Sequence, residues 1–90
     1  MSYSLLYSAA SKYLIRKFHP EIKAIIRARL KRLKDNPYEG KPLERELSGY
    51  FSLRAKRYRI IYKINTEEQH IEIHYVGHRK DIYQLFRERA

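Results

Sequence analysis

The stretch RYRIIYKI (residues 57–64) alternates between two kinds of side chain with a period of two, which indicates a half-buried β-strand. Every second side chain from Tyr58 to Ile64 is apolar or aromatic and is expected on one face of a sheet. The opposite face receives the alternate positions: Arg57, Arg59, Ile61 and Lys63.

Two shorter segments with the same period flank this strand: YFSLRA (residues 50–55) and HIEIHYV (residues 70–76). Short connections between consecutive strands favour an antiparallel meander. In the last strand we expect Ile71, Ile73 and Tyr75 on the apolar face and Val76 on the polar face. The polar face would then carry a row of basic side chains from neighbouring strands: Arg54, Arg57, Arg59 and Lys63.

The N-terminal half of the chain predicts one strand and two helices. SYSLLYS (residues 2–8) suits a short first strand, and Ser8 is placed to cap a helix over residues 9–18. Pro20 suits the first turn of a second helix. That helix has an apolar stripe at helical spacing: Ile22, Ile25, Ile26, Leu30 and Leu33. The turn-forming run DNPYEGKP (residues 35–42) then predicts a loop.

These elements predict an α+β fold, because the sheet's apolar face needs a cover and the two amphipathic helices supply one. The expected order is an N-terminal strand, a helical hairpin packed on an antiparallel β-sheet, and a short C-terminal helix in RKDIYQLFRERA (residues 79–90). A chain of 90 residues is expected to form a single domain over residues 1–90.

The charge of the chain points to a polyanionic partner. Twenty Lys and Arg against ten Asp and Glu give a net charge of +10, which attracts nucleic acid or an acidic protein. A basic surface that serves only solubility is the alternative. The absence of cysteine excludes disulfides and thiolate metal sites. The sequence has no signal-peptide pattern and no apolar run of about 20 residues, so we expect a cytoplasmic protein.

The three histidines on or just past the last strand do not predict a metal site. His70, His74 and His78 lie four residues apart, and four residues of strand span about 13 Å. That line of side chains does not readily reach one ion with bonds of about 2 Å. No glycine-rich phosphate loop or Ser-His-Asp pattern is present. The basic sheet face is therefore the candidate site. Its arginines could instead serve only to pair with surface glutamates, but exposed ion pairs contribute about 0–1 kcal/mol each, which is too little to explain ten excess positive charges.

Two blocks of the sequence resemble the RelE branch of the RelE/ParE toxin superfamily. They are LSGYFSLRAKRYRIIY (residues 47–62) and VGHRKDIY (residues 76–83), and the resemblance covers nearly the whole chain. It implies the same fold and the toxin of a type II toxin–antitoxin system. It further implies a ribosome-dependent endoribonuclease that cuts mRNA in the A site through attack of the ribose 2′-hydroxyl on the adjacent phosphate. The implied partners are a RelB-like antitoxin, the ribosome and mRNA, with operator DNA bound only through the antitoxin and no cofactor.

The resemblance also assigns roles to individual residues. Arg59 matches the arginine that contacts the scissile phosphate, and Arg79 a second phosphate-binding arginine. Tyr83 matches the tyrosine that stacks on or orients the substrate and that can help to remove the 2′ proton. Arg54 falls where the family often has a basic residue, whereas Ser52 stands where well-known members carry a lysine. This leaves the general base open, with Lys56 and His78 as substitutes. Four surrounding residues are expected to contact RNA: Lys56, Arg57, His78 and Lys80.

Two other functions stay open at this point. A ParE-like inhibitor of DNA gyrase shares the fold but is not a nuclease, and it usually has a longer helical hairpin and no arginine–tyrosine tail. The short hairpin and the intact HRKDIY (residues 78–83) favour the nuclease. A catalytically silent partner of an antitoxin, which binds RNA or DNA, is the third alternative, and Ser52 keeps it open.

Overall fold

The structure, a computed structural model, describes residues 2–78. Within these residues the chain forms a strand, two helices and then four more strands. Two single 3-10 turns, Pro37–Glu39 and Arg45–Leu47, flank the second strand. In chain order the elements are β1 (Ser4–Tyr7), α1 (Ala9–Lys17), α2 (Pro20–Asp35), β2 (Lys41–Pro42), β3 (Phe51–Ala55), β4 (Tyr58–Asn65) and β5 (His70–His78).

The strands form one sheet in the order β1-β5-β4-β3-β2. The predicted antiparallel meander is confirmed as β3, β4 and β5, and β1 adds to β5 in parallel. Strand β2 lies within the segment that the sequence predicted as a loop. It has only two residues, and Pro42, which lacks an N–H, is tolerated at the sheet edge. The α+β fold is thus confirmed, while the C-terminal helix predicted for residues 79–90 lies outside the described residues.

A β-bulge between β4 and β5 corrects the predicted alternation of the last strand. Ile61 pairs with Tyr75 and Tyr62 pairs with Ile73, so His74 has no residue opposite it on β4. One extra residue reverses the faces that follow it. Val76 consequently packs with the main core, and Tyr75 lies on the opposite face with Ile61.

The core consists of two clusters, one on each face of the sheet. The larger cluster joins α2 to the sheet face that carries Ile60 and Tyr62, which we call the helix face. A smaller cluster of Leu47, Ile61 and Tyr75 lies on the opposite face, which we call the Arg59 face. Ile61 lies on this face as its alternation predicts, whereas Tyr75 and Leu47 were not predicted there and are brought to it by the bulge and the Arg45–Leu47 turn.

The start of α1 is fixed onto the bulge by two serines. As predicted, Ser8 caps the helix, its Oγ accepting from the Ser11 N–H at 3.0 Å. The Ser8 hydroxyl donates to the His74 carbonyl at 3.0 Å, and the buried Ser11 hydroxyl donates to the Ile73 carbonyl at 2.9 Å. The Ile73 carbonyl also accepts from the Ser8 N–H at 3.0 Å, so the backbone and both serine side chains together hold the start of α1 against the bulge.

The second helix begins as its sequence predicts. Pro20 occupies its first turn, and His19 Nδ1 accepts from the Glu21 N–H at 3.2 Å. Ile26, Leu30 and Leu33 are buried in the larger cluster. None of the helices in residues 2–78 is long and apolar enough to cross a membrane.

Candidate functional site

The candidate site is built on the hairpin of β3 and β4, where two arginines face each other across the strands. Arg54 pairs directly with Arg59 in the strand register, and both lie on the Arg59 face. Directly opposed residues have Cβ atoms about 4.5–5.5 Å apart, and like charges there are destabilising. On the other side Arg59 pairs with Gly77 of β5, which has no side chain to crowd the guanidinium.

The two-residue turn of the hairpin holds Arg54 in place. Lys56 in this turn has a φ of 56°, in the left-handed region that residues other than glycine rarely adopt. Its carbonyl accepts a hydrogen bond from Arg54 Nε at 3.1 Å. The bond uses the Nε side of the guanidinium and leaves its terminal nitrogens available to an anion.

The two arginines line a concavity of about 400 Å³ at the edge of the sheet, which we call the edge concavity. Within the described residues β2 pairs only with Phe51 and Ser52, so the rest of β3 borders this opening. Five of the side chains around it are basic: Arg29, Lys41, Arg54, Lys56 and Arg59. Five cations converging on one opening make it a binding site suited to phosphate groups.

Glu39 supplies the one carboxylate in the lining of the edge concavity. Its Oε2 lies 3.7 Å from Arg29 and 3.4 Å from Arg32, both on α2. These ion pairs are partly exposed, so each contributes about 0–1 kcal/mol. Glu39 thus offsets part of the charge of Arg29 and orients it, while the opening stays strongly positive.

Tyr62 holds residues 37–40, the segment that carries Glu39, against the sheet. The buried Tyr62 hydroxyl donates to the Pro37 carbonyl at 2.7 Å and accepts from the Gly40 N–H at 3.0 Å. Burial raises the pKa of Tyr62 to about 12, although the Gly40 bond acts in the opposite direction. A Cβ on Gly40 would approach the Tyr62 hydroxyl to 2.5 Å, so only glycine fits there without a shift.

The lining of the edge concavity is better suited to binding an anion than to moving a proton. Ser52, which stands where well-known family members carry a lysine, is buried in the lining of the edge concavity and carries no charge. Within the described lining Glu39 supplies the one carboxylate, and it is already engaged in ion pairs with two arginines, Arg29 and Arg32.

The structure brings some of the predicted site residues together and separates others. Arg54, Lys56 and Arg59 share the edge concavity, whereas Arg57 is exposed in the turn outside its lining. His78 lies apart from these residues: it pairs with Tyr58 on β4, and the centroids of the two rings are 5.8 Å apart on the helix face. Three further predicted residues lie outside the described residues: Arg79, Lys80 and Tyr83. The role of each residue in binding or catalysis stays a prediction.

Two cations of the edge concavity were missed by the sequence analysis. Arg29 lies on α2 three residues after Ile26 and four before Leu33, which places it beside the buried stripe. From that spacing Arg29 could have been predicted on the side of α2 that faces the sheet. Lys41 had no such signal, because its position depends on the two-residue strand β2.

His70 and His74 form a separate group with Glu72 on β5. The Glu72 carboxylate lies 3.2 Å from His74 and 3.2 Å from His70. The hydrogen bond from His74, together with the one from His70, outweighs partial burial and holds the pKa of Glu72 below its ordinary value. Within residues 2–78 no three His, Asp or Glu side chains are placed to hold a metal ion.

Known proteins with related sequences and folds are toxins. A family model for the ParE toxin of the type II toxin–antitoxin system, parDE, matches residues 8–83. Toxin RelG of Mycobacterium tuberculosis is 36% identical over 86 residues, covering 93% of this chain and 99% of that protein. The toxin–antitoxin complex RelBE2 of M. tuberculosis contains a chain with 33% identity and a TM-score of 0.80, covering 88% of this chain and 100% of that one.

A more distant relative confirms the fold alone. A double mutant of the toxin RelE of Escherichia coli, solved in the free state, has 19% identity and a TM-score of 0.78, covering 99% of this chain and 98% of that one. The RelE/ParE resemblance seen in the two sequence blocks agrees with all four comparisons. The chain is a member of the ParE toxin family of type II toxin–antitoxin systems, within the RelE/ParE superfamily.

Proposed function

We propose that the chain is a ribosome-dependent endoribonuclease that cuts mRNA in the A site. The observation that carries the proposal is the direct pairing of Arg54 with Arg59 in the basic edge concavity. Placing two guanidinium groups opposite each other costs stability. A phosphate bound between them reverses that cost and gains bidentate, charge-assisted hydrogen bonds.

In the proposed reaction the 2′-oxygen forms a bond to the adjacent phosphorus while the bond from phosphorus to the 5′-oxygen breaks. The 2′-hydroxyl loses a proton and the leaving 5′-oxygen gains one, which gives a 2′,3′-cyclic phosphate and a 5′-hydroxyl end. Arg59 and Arg54 would donate to the phosphate oxygens, whose charge grows in the transition state. Loss of one such donor is expected to lower the rate by about 10²–10³.

The C-terminal residues complete this proposal. Arg79 directly follows β5, whose Gly77 is paired with Arg59. We assign Arg79 to the same phosphate and Tyr83 to the orientation of the substrate, as the family resemblance implies. The ribosome would align the reacting groups, which compensates for the lack of a strong base in the described lining of the edge concavity. This activity places the protein in the cytoplasm, where translation occurs.

The proposed partner is a RelB-like antitoxin. The similar M. tuberculosis chain was solved as a toxin–antitoxin complex, and an acidic antitoxin segment complements a chain of net charge +10. We propose that it inhibits by covering or displacing Arg59, Arg79 and Tyr83. A complex that leaves all three in place and accessible would refute this mechanism.

The test is primer extension on a defined mRNA held in programmed ribosomes. The wild type should cut within the A-site codon, and Arg54→Ala, Arg59→Ala, Arg79→Ala and Tyr83→Ala should lower the rate. Lys31→Ala is the control for the loss of one positive charge, because Lys31 is exposed on α2 and lies outside the edge concavity. If all variants cut as fast as the wild type, these four residues do not form the catalytic site.

Two alternative outcomes identify other functions. If the wild type leaves mRNA intact on ribosomes but inhibits supercoiling by DNA gyrase, the ParE-like alternative replaces the nuclease. The family model, which describes ParE toxins, is the observation that favours this alternative. Inactivity in both assays would indicate a silent binding partner of the antitoxin.

A further inference from the structure

Tyr38 is an exposed aromatic side chain at the border of the edge concavity. Its exposed fraction, 59%, is the highest among the large hydrophobic side chains of residues 2–78. The next two residues along the chain, Glu39 and Gly40, both line the edge concavity. Because consecutive Cα atoms are about 3.8 Å apart, the Cα of Tyr38 lies within about 8 Å of both. Tyr38 therefore stands directly beside the proposed phosphate site.

The backbone on both sides of Tyr38 is fixed. Before it, the Pro37 carbonyl accepts from the buried Tyr62 hydroxyl at 2.7 Å, and after it the Gly40 N–H donates to the same hydroxyl at 3.0 Å. The Tyr38 ring packs edge to face on Phe51, with centroids 5.9 Å apart and 78° between the planes. A ring that is held in this way loses little conformational entropy when a ligand contacts it.

Tyr13 on α1 offers a comparison within the same chain. It is exposed to a similar extent, 55%, but the Lys17 ammonium lies over its ring at 4.9 Å from the centroid. Within residues 2–78 no cation lies over the Tyr38 ring, although five basic side chains line the opening beside it. Proteins that bind single-stranded nucleic acid combine these two features, because cations hold the backbone while aromatic rings stack on the bases.

We propose that Tyr38 stacks on a base of the mRNA, next to the phosphate held by Arg54 and Arg59. Tyr38 borders the edge concavity and does not line it, which suits a base, since the bases of a single strand can be splayed away from its backbone. Every base has an aromatic face, so the subsite would accept all four, with a modest preference for the larger purines. The inference rests on the proposed binding of mRNA at the edge concavity and is independent of its cleavage.

Two single-stranded RNAs test this subsite. One carries ordinary bases, and the other is an abasic strand of the same length that keeps the riboses and phosphates. Tyr38→Ala should raise the Kd for the strand with bases by about fivefold or more, as expected for the loss of one stacked base. The same variant should change the Kd for the abasic strand by less than about twofold, because its phosphate contacts remain. Fluorescence anisotropy with labelled strands measures both constants.

Two further variants separate stacking from other causes. Tyr38→Phe keeps the ring and should bind both strands as the wild type does. Tyr13→Ala is the matched control for the loss of an exposed tyrosine, since Tyr13 lies outside the lining of the edge concavity and is not adjacent to it in the chain. It should leave both Kd values unchanged, and circular dichroism verifies that all variants remain folded.

Three results would overturn the proposal. Tyr38→Ala could weaken both strands equally, which would mean that the ring supports the shape of the concavity and does not stack. It could leave both Kd values unchanged, or the wild type could bind neither strand. The nuclease proposal fails separately: if Tyr38→Ala weakens only the strand with bases while the wild type leaves mRNA intact on ribosomes, the subsite stands without the cleavage.

Discussion

Tyr62 is the residue that couples the core to the candidate site. It is fully buried, yet its hydroxyl binds both Pro37 and Gly40 in the segment that positions Glu39 and Lys41. A tyrosine in an alternating strand is read from the sequence as a core residue, which is correct for its ring. The role of the hydroxyl could not be predicted, because its two partners lie 25 and 22 residues away.

We expect the free energy of unfolding to fall as the pH rises from 10 to 12, in part because of Tyr62. The pKa of Tyr62 is about 12 in the folded protein and 10.0 ordinarily, so the folded state keeps a proton that the unfolded state loses. The stabilisation is complete below pH 10 and is lost as the pH passes through the folded pKa.

The measurement is urea denaturation at several pH values for the wild type and Tyr62→Phe. At neutral pH Tyr62→Phe should be less stable by about 1–3 kcal/mol, because the Gly40 N–H and Pro37 carbonyl lose their partner. Between pH 10 and 12 its stability should fall less steeply than that of the wild type. Parallel pH profiles would mean that Tyr62 does not hold its proton as described. Tyr13→Phe is the control, since Tyr13 is 55% exposed.

Among the secondary-structure elements, β5 contains the feature that could not be predicted from the sequence, its β-bulge. Strict alternation predicts Tyr75 on the apolar face, but the extra residue at His74 places Val76 there instead. Both arrangements put one apolar side chain on each face, so hydrophobic periodicity cannot distinguish them. The β3–β4 hairpin has no such interruption, and the sequence therefore placed Arg54 and Arg59 on one face correctly.

Ser11→Ala should destabilise the protein through this bulge. The buried Ser11 hydroxyl donates to the Ile73 carbonyl, and its loss should lower the free energy of unfolding by about 1–2 kcal/mol. Urea denaturation at neutral pH measures the change. Ser48→Ala is the control, since Ser48 is exposed in the loop before β3. A loss as small as that of the control would show that the hydroxyl does not support the bulge.

At the scale of the whole molecule, the excess of basic side chains forms two separate basic openings. One is the edge concavity, and the other is a groove between α1 and α2 that is lined by Lys12, Arg16, Lys23 and Arg27. Each contains cations from more than one element, and the two share no lining residue. Composition alone predicted a polyanionic partner. It could not predict two surfaces, because Arg29 and Lys41 join Arg54 and Arg59 only through the packing of α2 and β2 against the hairpin.

Binding of a short single-stranded RNA should depend strongly on salt. Each phosphate that a cation neutralises contributes a slope of about −0.7 to the logarithm of affinity against that of salt concentration. Arg59→Ala should make the total slope shallower by about that amount, whereas Lys31→Ala should preserve it. Fluorescence anisotropy over a series of salt concentrations measures both. An affinity that salt does not change would argue against phosphate recognition by this surface.

The most direct test of the account is the response of the reaction to one missing hydroxyl. Two mRNAs that differ only by a 2′-deoxynucleotide at the cleavage position would be held in programmed ribosomes and exposed to the toxin. We predict that the all-ribose mRNA is cut to a 2′,3′-cyclic phosphate, that the 2′-deoxy mRNA stays intact, and that Arg59→Ala slows the first reaction. Equal cutting of both mRNAs, or cutting of neither, would contradict attack by the 2′-hydroxyl at the Arg54–Arg59 site.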